Sequence, residues 1–186
     1  MNQISLNQLA RKRIKQEDFS PWLLELKAMQ DRPAAIVAAT LVEDALYDVL
    51  IDQMAKLSKQ EHNELFLGDS PLSKFSAKIR LCRALKLIDK ECATDINTVK
   101  NIRNVFAHAR ISLDFGTPEI ASQIKEISMI KRLASKEMKL LLPKSAEMCK
   151  KIQMNTPREK FMGQCIIISW WLTNVSPGSN LIQQLG

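Results

Sequence analysis

Apolar residues recur along this chain every three or four positions, which is the spacing of one face of an α-helix. The period predicts helices over five segments: 33–56, 71–88, 95–109, 118–150 with a break near Pro143, and 157–174. No segment alternates between apolar and polar residues over the length of a strand. We therefore expect an all-α, single-domain bundle of seven or eight helices.

Helix ends are marked by proline and glycine. Five times a Ser or Thr precedes a proline, and four of these pairs predict helix starts, because the hydroxyl caps free N–H groups and proline fits the first helical position. These four pairs begin at Ser20, Ser70, Thr117 and Thr156. Thr156 with Glu159 also predicts a capping box. Gly68 and Gly116 are expected to take the left-handed conformation that ends a helix.

The most apolar segment, residues 161–175, is too short to cross a membrane, since a spanning helix needs about 20 apolar residues. It contains Trp170 and Trp171, and it is either a wholly buried central helix or a subunit contact. The N-terminus lacks the apolar run of a signal peptide. The four cysteines form no CxxC pair and only two histidines are present, so we expect no metal site, no cofactor and reduced thiols. A soluble, cytoplasmic protein without a membrane partner is the expectation.

Charge is unevenly distributed. Residues 1–16 contain four basic and no acidic residues, which predicts a basic N-terminal arm or a first helix ahead of a single all-α domain over 17–186. Residues 17–69 contain four basic and 11 acidic residues, net −7, whereas residues 70–110 contain nine basic and three acidic residues, net +6. A basic balance can attract nucleic acid. Acidic and basic helices packed together in one domain explain this contrast slightly better.

The helix predicted over 95–109 carries an unusual set of polar residues. Its apolar stripe consists of Ile96, Val99, Ile102, Phe106 and Ala109. Arg103 falls at the edge of that stripe, so its guanidinium should be partly buried and should need a carboxylate or phosphate partner. A second row consists of Asn97, Asn101, Asn104 and His108. Because asparagine is a poor helix former, the row indicates a hydrogen-bonding surface; an ordinary solvated face, with His108 favoured near the helix C-terminus, is the alternative.

The stretch RNVFAH, from Arg103 to His108, resembles the Arg-to-His motif of the HEPN superfamily. The resemblance implies a HEPN-like helical bundle and, for many members, a metal-independent endoribonuclease that acts as a homodimer. On that hypothesis His108 transfers a proton, Arg103 stabilises charge on the phosphorane, and Asn104 positions the phosphate or the His108 ring. Glu43 or Asp44 on an earlier helix would support the arginine.

A longer stretch, LFLGDSPLSKFSAKIRLCRALKLIDKE (residues 65–91), is similar to the mannitol operon repressor family of bacterial regulators. The similarity rests on Gly68, Asp69, Pro71, Leu72 and Ser76, followed by a leucine-rich helix and then by the Arg-to-His helix. It spans roughly residues 32–115. It implies a cytoplasmic all-α protein that represses genes of mannitol uptake and catabolism.

No helix-turn-helix is recognisable, so such repression would run through a protein or RNA partner rather than through direct recognition of DNA bases. Lys74, Lys78 and Arg80 are placed on the outer flanks of the helix predicted over 71–88, where they are candidate nucleic-acid contacts; a solvated face explains them equally well. The leading hypothesis is a homodimeric transcriptional regulator with a protein, RNA or DNA partner. The endoribonuclease, and an interaction protein in which Arg103 and His108 are structural, are the alternatives, so whether the protein is an enzyme stays open.

Overall fold

The computed structural model describes residues 19–135, 152 and 154–174. This part of the chain is all-α, which confirms the predicted fold class. The helices are α1 (Phe19–Ala28), α2 (Asp31–Gln53), α3 (Lys59–Phe66), α4 (Phe75–Ala84), α5 (Lys90–His108), α6 (Pro118–Glu126), α7 (Met129–Leu133) and α8 (Pro157–Asn174). The N-terminal arm predicted over 1–16 and the helix break predicted near Pro143 lie outside the described residues.

Helix α8 forms the centre of the bundle. It packs chiefly against α2 and also contacts α1, α5, α6 and α7, and every residue from Phe161 to Leu172 is buried. The one amide in this stretch, Gln164, is satisfied internally: its Nε2 donates to the Ile127 carbonyl at 2.9 Å, and its Oε1 accepts from the Ile130 N–H at 3.2 Å. The alternative of a buried central helix is thereby confirmed. In the described part of the chain, no helix is long and apolar enough to cross a membrane.

Two of the predicted helix ends are confirmed. The Thr156 hydroxyl accepts from the Glu159 N–H at 3.2 Å, and the Glu159 carboxylate accepts from the Thr156 N–H at 3.1 Å, so the capping box forms at the start of α8. Gly68 has a φ of 63° after α3, the left-handed conformation that costs least for glycine.

Two other predicted ends are wrong. Helix α4 begins at Phe75 rather than at Pro71, because the Ser70 hydroxyl donates backwards to the carbonyls of Asn63, at 3.0 Å, and Leu67. Ser70 therefore satisfies the end of α3 instead of starting α4. Gly116 lies well beyond the end of α5 and is not among the positive-φ residues.

Helix α5 starts earlier than predicted because Asp89 caps it. The Asp89 carboxylate accepts from the Cys92 N–H at 2.6 Å, which extends the helix back to Lys90. The predicted stripe of Ile96, Val99, Ile102 and Phe106 is buried, whereas Ala109 lies just past the helix end and is only half-buried. The core face of α5 is thus the predicted one.

Two carboxylates of α5 hold α7 against it. Asp89 forms an ion pair with Arg132 at 2.8 Å. Asp95, 2% exposed, accepts from the Ser128 N–H at 2.9 Å and from the Ser128 hydroxyl. Burial raises the pKa of Asp95 despite these hydrogen bonds. The helical segment predicted from 118 onwards accordingly breaks between α6 and α7, where Ser128 meets Asp95.

Candidate functional site

The Arg-to-His motif occupies the last turns of α5. Arg103 is half-buried, as predicted, and its Nη1 donates to Asn104 Oδ1 at 3.1 Å. His108 is exposed. Arg103 and His108 are five residues apart and so point about 140° apart around the helix, whereas Asn104 lies one turn before His108 on the same side. Asn104 therefore connects the arginine to the face that carries the histidine.

Glu43, one of the two carboxylates expected to support Arg103, is used elsewhere. Its Oε1 lies 2.7 Å from Lys78 Nζ, which also donates to the Ser73 carbonyl at 3.2 Å. Both side chains of this pair are largely shielded from solvent. Asp44 is exposed on α2.

The placement predicted for Lys78 on the outer flank of its helix is wrong. Lys78 is 7% exposed and lies in the buried stripe of α4 with Phe75, Ile79 and Cys82. A buried ammonium paired with Glu43 is not available to a nucleic-acid phosphate. Lys74 and Arg80 are exposed, as predicted; their role as nucleic-acid contacts stays a prediction.

The segment after His108 is held by the start of α2. Arg32 Nη2 donates to the carbonyls of Ala109 and Ile111 at 3.0 and 3.1 Å. Asp31 accepts from the Phe115 N–H at 2.9 Å. These bonds fix the backbone on which Ile111 stands, with 68% of its surface exposed. Sequence reasoning missed the clamp because its partners are 77 to 84 residues apart.

The polar row of α5 lies on the solvent side of the helix. Asn97 Nδ2 donates to the Ala93 carbonyl at 2.8 Å, and Thr94 donates to the Lys90 carbonyl at 3.0 Å, so both side chains fold back on their own helix. Asn101 and His108 are exposed, and the apolar Val105 beside them is 46% exposed. The predicted hydrogen-bonding surface is thus accessible, although Asn97 satisfies part of its capacity locally.

A histidine to which the sequence assigned nothing joins α2 to α3. His62 Nε2 lies 2.6 Å from the Tyr47 hydroxyl, and its ring stacks on Phe66 with centroids 5.3 Å apart. These contacts hold α3 against α2 and have a structural role. Only the rarity of histidine and tyrosine in this chain could have drawn attention to it.

Side chains that could hold a metal or act as thiol nucleophiles are not brought together in the described ranges. These contain no group of three or more His, Cys, Asp or Glu residues that could hold a metal ion. Cys82, Cys92 and Cys165 are free and buried. Burial raises the pKa of Cys82 to about 12, and it also raises the pKa of Cys92 and of Cys165. These three thiols are therefore protonated and unreactive at neutral pH.

Comparison with known proteins gives a family match and a solved structure of similar fold. A family model described as mannitol repressor matches residues 34–168, which run from α2 into α8. No curated protein sequence matches the chain. The chain is also similar to a solved structure described as the X-ray structure of the MtlR–HPr complex from Escherichia coli, with a TM-score of 0.63 and 18% identity over 85% of this chain and 99% of that chain. At this identity the structural likeness shows the fold.

Proposed function

Because the chain belongs to the mannitol repressor family, we propose that it is a transcriptional regulator that acts by binding a partner protein. The family match over residues 34–168 is the observation that carries this proposal. The structure with the similar fold is a complex with HPr, and we propose HPr, or a protein like it, as the partner here. The regulator works where transcription takes place, so the proposal includes a cytoplasmic location.

The geometry supports contact with a protein more than recognition of DNA bases. Burial of Lys78 removes one of the three basic side chains considered for phosphate contacts. Direct reading of DNA requires a helix whose polar residues reach base edges while neighbouring cations hold the phosphates. On α5 the side chains of Asn97 and Thr94 bond to their own helix instead. A homodimer and a single domain over 17–186 belong to the proposal as well.

The endoribonuclease alternative assigns catalysis to Arg103, Asn104 and His108. One observation favours it: Arg103 bonds to Asn104, which lies one turn before the exposed His108 on the same side of α5. Its supporting carboxylate, Glu43, is paired with Lys78. The comparisons favour the regulator.

Isothermal titration calorimetry of the full-length protein with HPr from the same genome tests the proposal. We expect a saturable interaction. Absence of binding at micromolar concentrations of both proteins would reject HPr as the partner.

A parallel assay addresses the alternative. Single-stranded and structured RNAs are incubated in EDTA with wild type and with His108→Ala. The regulator proposal predicts no cleavage by either protein, whereas cleavage by wild type alone would establish the nuclease.

A further inference from the structure

The outward face of α5 from Thr94 to His108 differs from the other solvent-exposed helix faces. We define this face by Thr94, Asn97, Asn101, Asn104, Val105 and His108. At 100° per residue these positions fall within about 100° of the helix circumference, opposite the buried stripe. None of them is Lys, Arg, Asp or Glu, although such residues make up 25% of the chain. The exposed positions of α3 and α6, by contrast, include Lys59, Glu61, Glu64, Glu119 and Lys125.

This composition costs helix stability. Asparagine and threonine are each less favourable than Lys, Glu or Arg at an exposed helical position, by a few tenths of a kcal/mol. Depletion of charge is a property of the buried centre of a protein interface. A face that gives up helix propensity and charge together is typical of a surface that another molecule covers.

Several polar side chains of the face already have hydrogen-bond partners within the protein. Thr94 and Asn97 already bond to carbonyls of their own helix. Asn97 also accepts from Lys100, and Asn104 accepts from Arg103, so the two cations that border the face already have partners on it. Covering these groups therefore costs less desolvation and less rotamer entropy than covering free amides and hydroxyls. Val105, 46% exposed, supplies apolar contact within the face.

The area of the face can be compared with the area that a stable protein interface buries. The stretch from Thr94 to His108 is about 21 Å long at 1.5 Å per residue. With a contact strip roughly 10 Å wide, it offers about 200 Å², a quarter of the roughly 800 Å² per partner that a stable interface buries. The face can therefore form only the centre of an interface that extends onto neighbouring residues such as Ile111, and it is too small by itself for the large, permanent contact with a second copy of this chain.

We infer that the outward face of α5 is the docking surface for the regulator's partner protein, HPr. This inference rests on the proposed function. Arg32 holds the carbonyls of Ala109 and Ile111, so the end of the surface is fixed by the fold before the partner arrives, which lowers the cost of binding.

The test places a charge at the centre of the surface without weakening the helix. Asn101→Glu does this, because glutamate is the better helix former. Thr40→Glu is the matched control: like Asn101, Thr40 is exposed in the middle of a long helix, here α2. Titration of HPr into both variants should give a Kd raised at least about tenfold for Asn101→Glu and within about twofold of wild type for Thr40→Glu.

The outcomes separate the surface from the function. If wild type and Asn101→Glu bind HPr equally, or if both variants lose binding alike, the docking surface is rejected and the proposed function stands. If wild type does not bind HPr, both are rejected. Light scattering identifies the rival occupant, because a stable wild-type dimer that Asn101→Glu dissociates would assign this face to a second copy and overturn the inference.

Discussion

Lys78 illustrates how a charged side chain becomes part of a core. It follows Phe75 by three residues and precedes Cys82 by four, which is the spacing of the buried stripe of α4. That spacing was visible in the sequence. Lys78 can be buried there, despite the usual preference of lysine for solvent, because Glu43 on α2 supplies the opposite charge at 2.7 Å. The partner, 35 positions away, could not be predicted.

Lys78→Met should lower the free energy of unfolding by about 2–3 kcal/mol, because it leaves the Glu43 carboxylate shielded and unpaired. Urea unfolding measures the change. The double variant Lys78→Met with Glu43→Leu should recover most of the loss, since both charges are then gone. A double variant as unstable as the single one would show that the ion pair is not the cause.

Burial of Asp95 should make the free energy of unfolding depend on pH. Its pKa is raised by burial, so above the pKa of the unfolded chain the folded protein holds more protons than the unfolded one, and stability falls as the pH rises through that window. Asp95→Asn keeps an oxygen that accepts from the Ser128 N–H but cannot ionise. The stability of the variant relative to wild type should therefore increase as the pH rises above the pKa of an unfolded aspartate, about 3.9.

Urea unfolding of both proteins at several pH values across this range provides the measurement. A stability difference that does not change with pH would contradict the assigned cause.

At the scale of elements, the long helices were predictable and their connections were not. Helix α2 was expected at 33–56 and spans Asp31–Gln53, because a continuous apolar pattern over that length fits little else. The start of α4 was misplaced because Ser70 bonds to α3. Whether a hydroxyl satisfies the helix before it or the helix after it depends on backbone geometry that residue types alone do not specify.

The same limit applies to the candidate site. The exposure of His108 and the partial burial of Arg103 followed from the period of α5 alone. The clamp from Arg32 to the segment after His108 did not, because it depends on how α2 packs against the end of α5.

Arg158 attaches the end of α1 to α8. Its guanidinium donates to the carbonyls of Leu26, at 3.1 Å, and Met29, and forms an ion pair with Asp31 at 3.0 Å. One side chain of α8 thus joins the end of α1 to the start of α2. Arg158→Ala should speed hydrogen exchange of the amides of α1 at least about tenfold, because α1 loses its hydrogen bonds to α8 and opens locally more often.

Hydrogen–deuterium exchange with mass spectrometry resolves this effect by segment. The exposed Arg110→Ala serves as the matched control and should leave α1 unchanged. Equal acceleration across every helix in Arg158→Ala would indicate global destabilisation and would contradict a local role.

At the scale of the whole molecule, the buried α8 packs against α1, α2, α5, α6 and α7 and forms the centre of one scaffold. The buried charged groups Lys78 and Asp95 are bonded to Glu43 and Ser128, and the three described cysteines are protonated. The groups available to other molecules therefore lie on the surface of the described bundle. We therefore expect regulation to depend on what the outside of the bundle binds.

Expression from a reporter fused to the mannitol operon promoter of the same genome measures whether the protein represses these genes. It is measured in cells with the wild-type gene and in cells from which the gene is deleted. We expect higher expression in the deletion strain and a return to the wild-type level when the gene is restored. Equal expression with and without the protein would contradict this expectation.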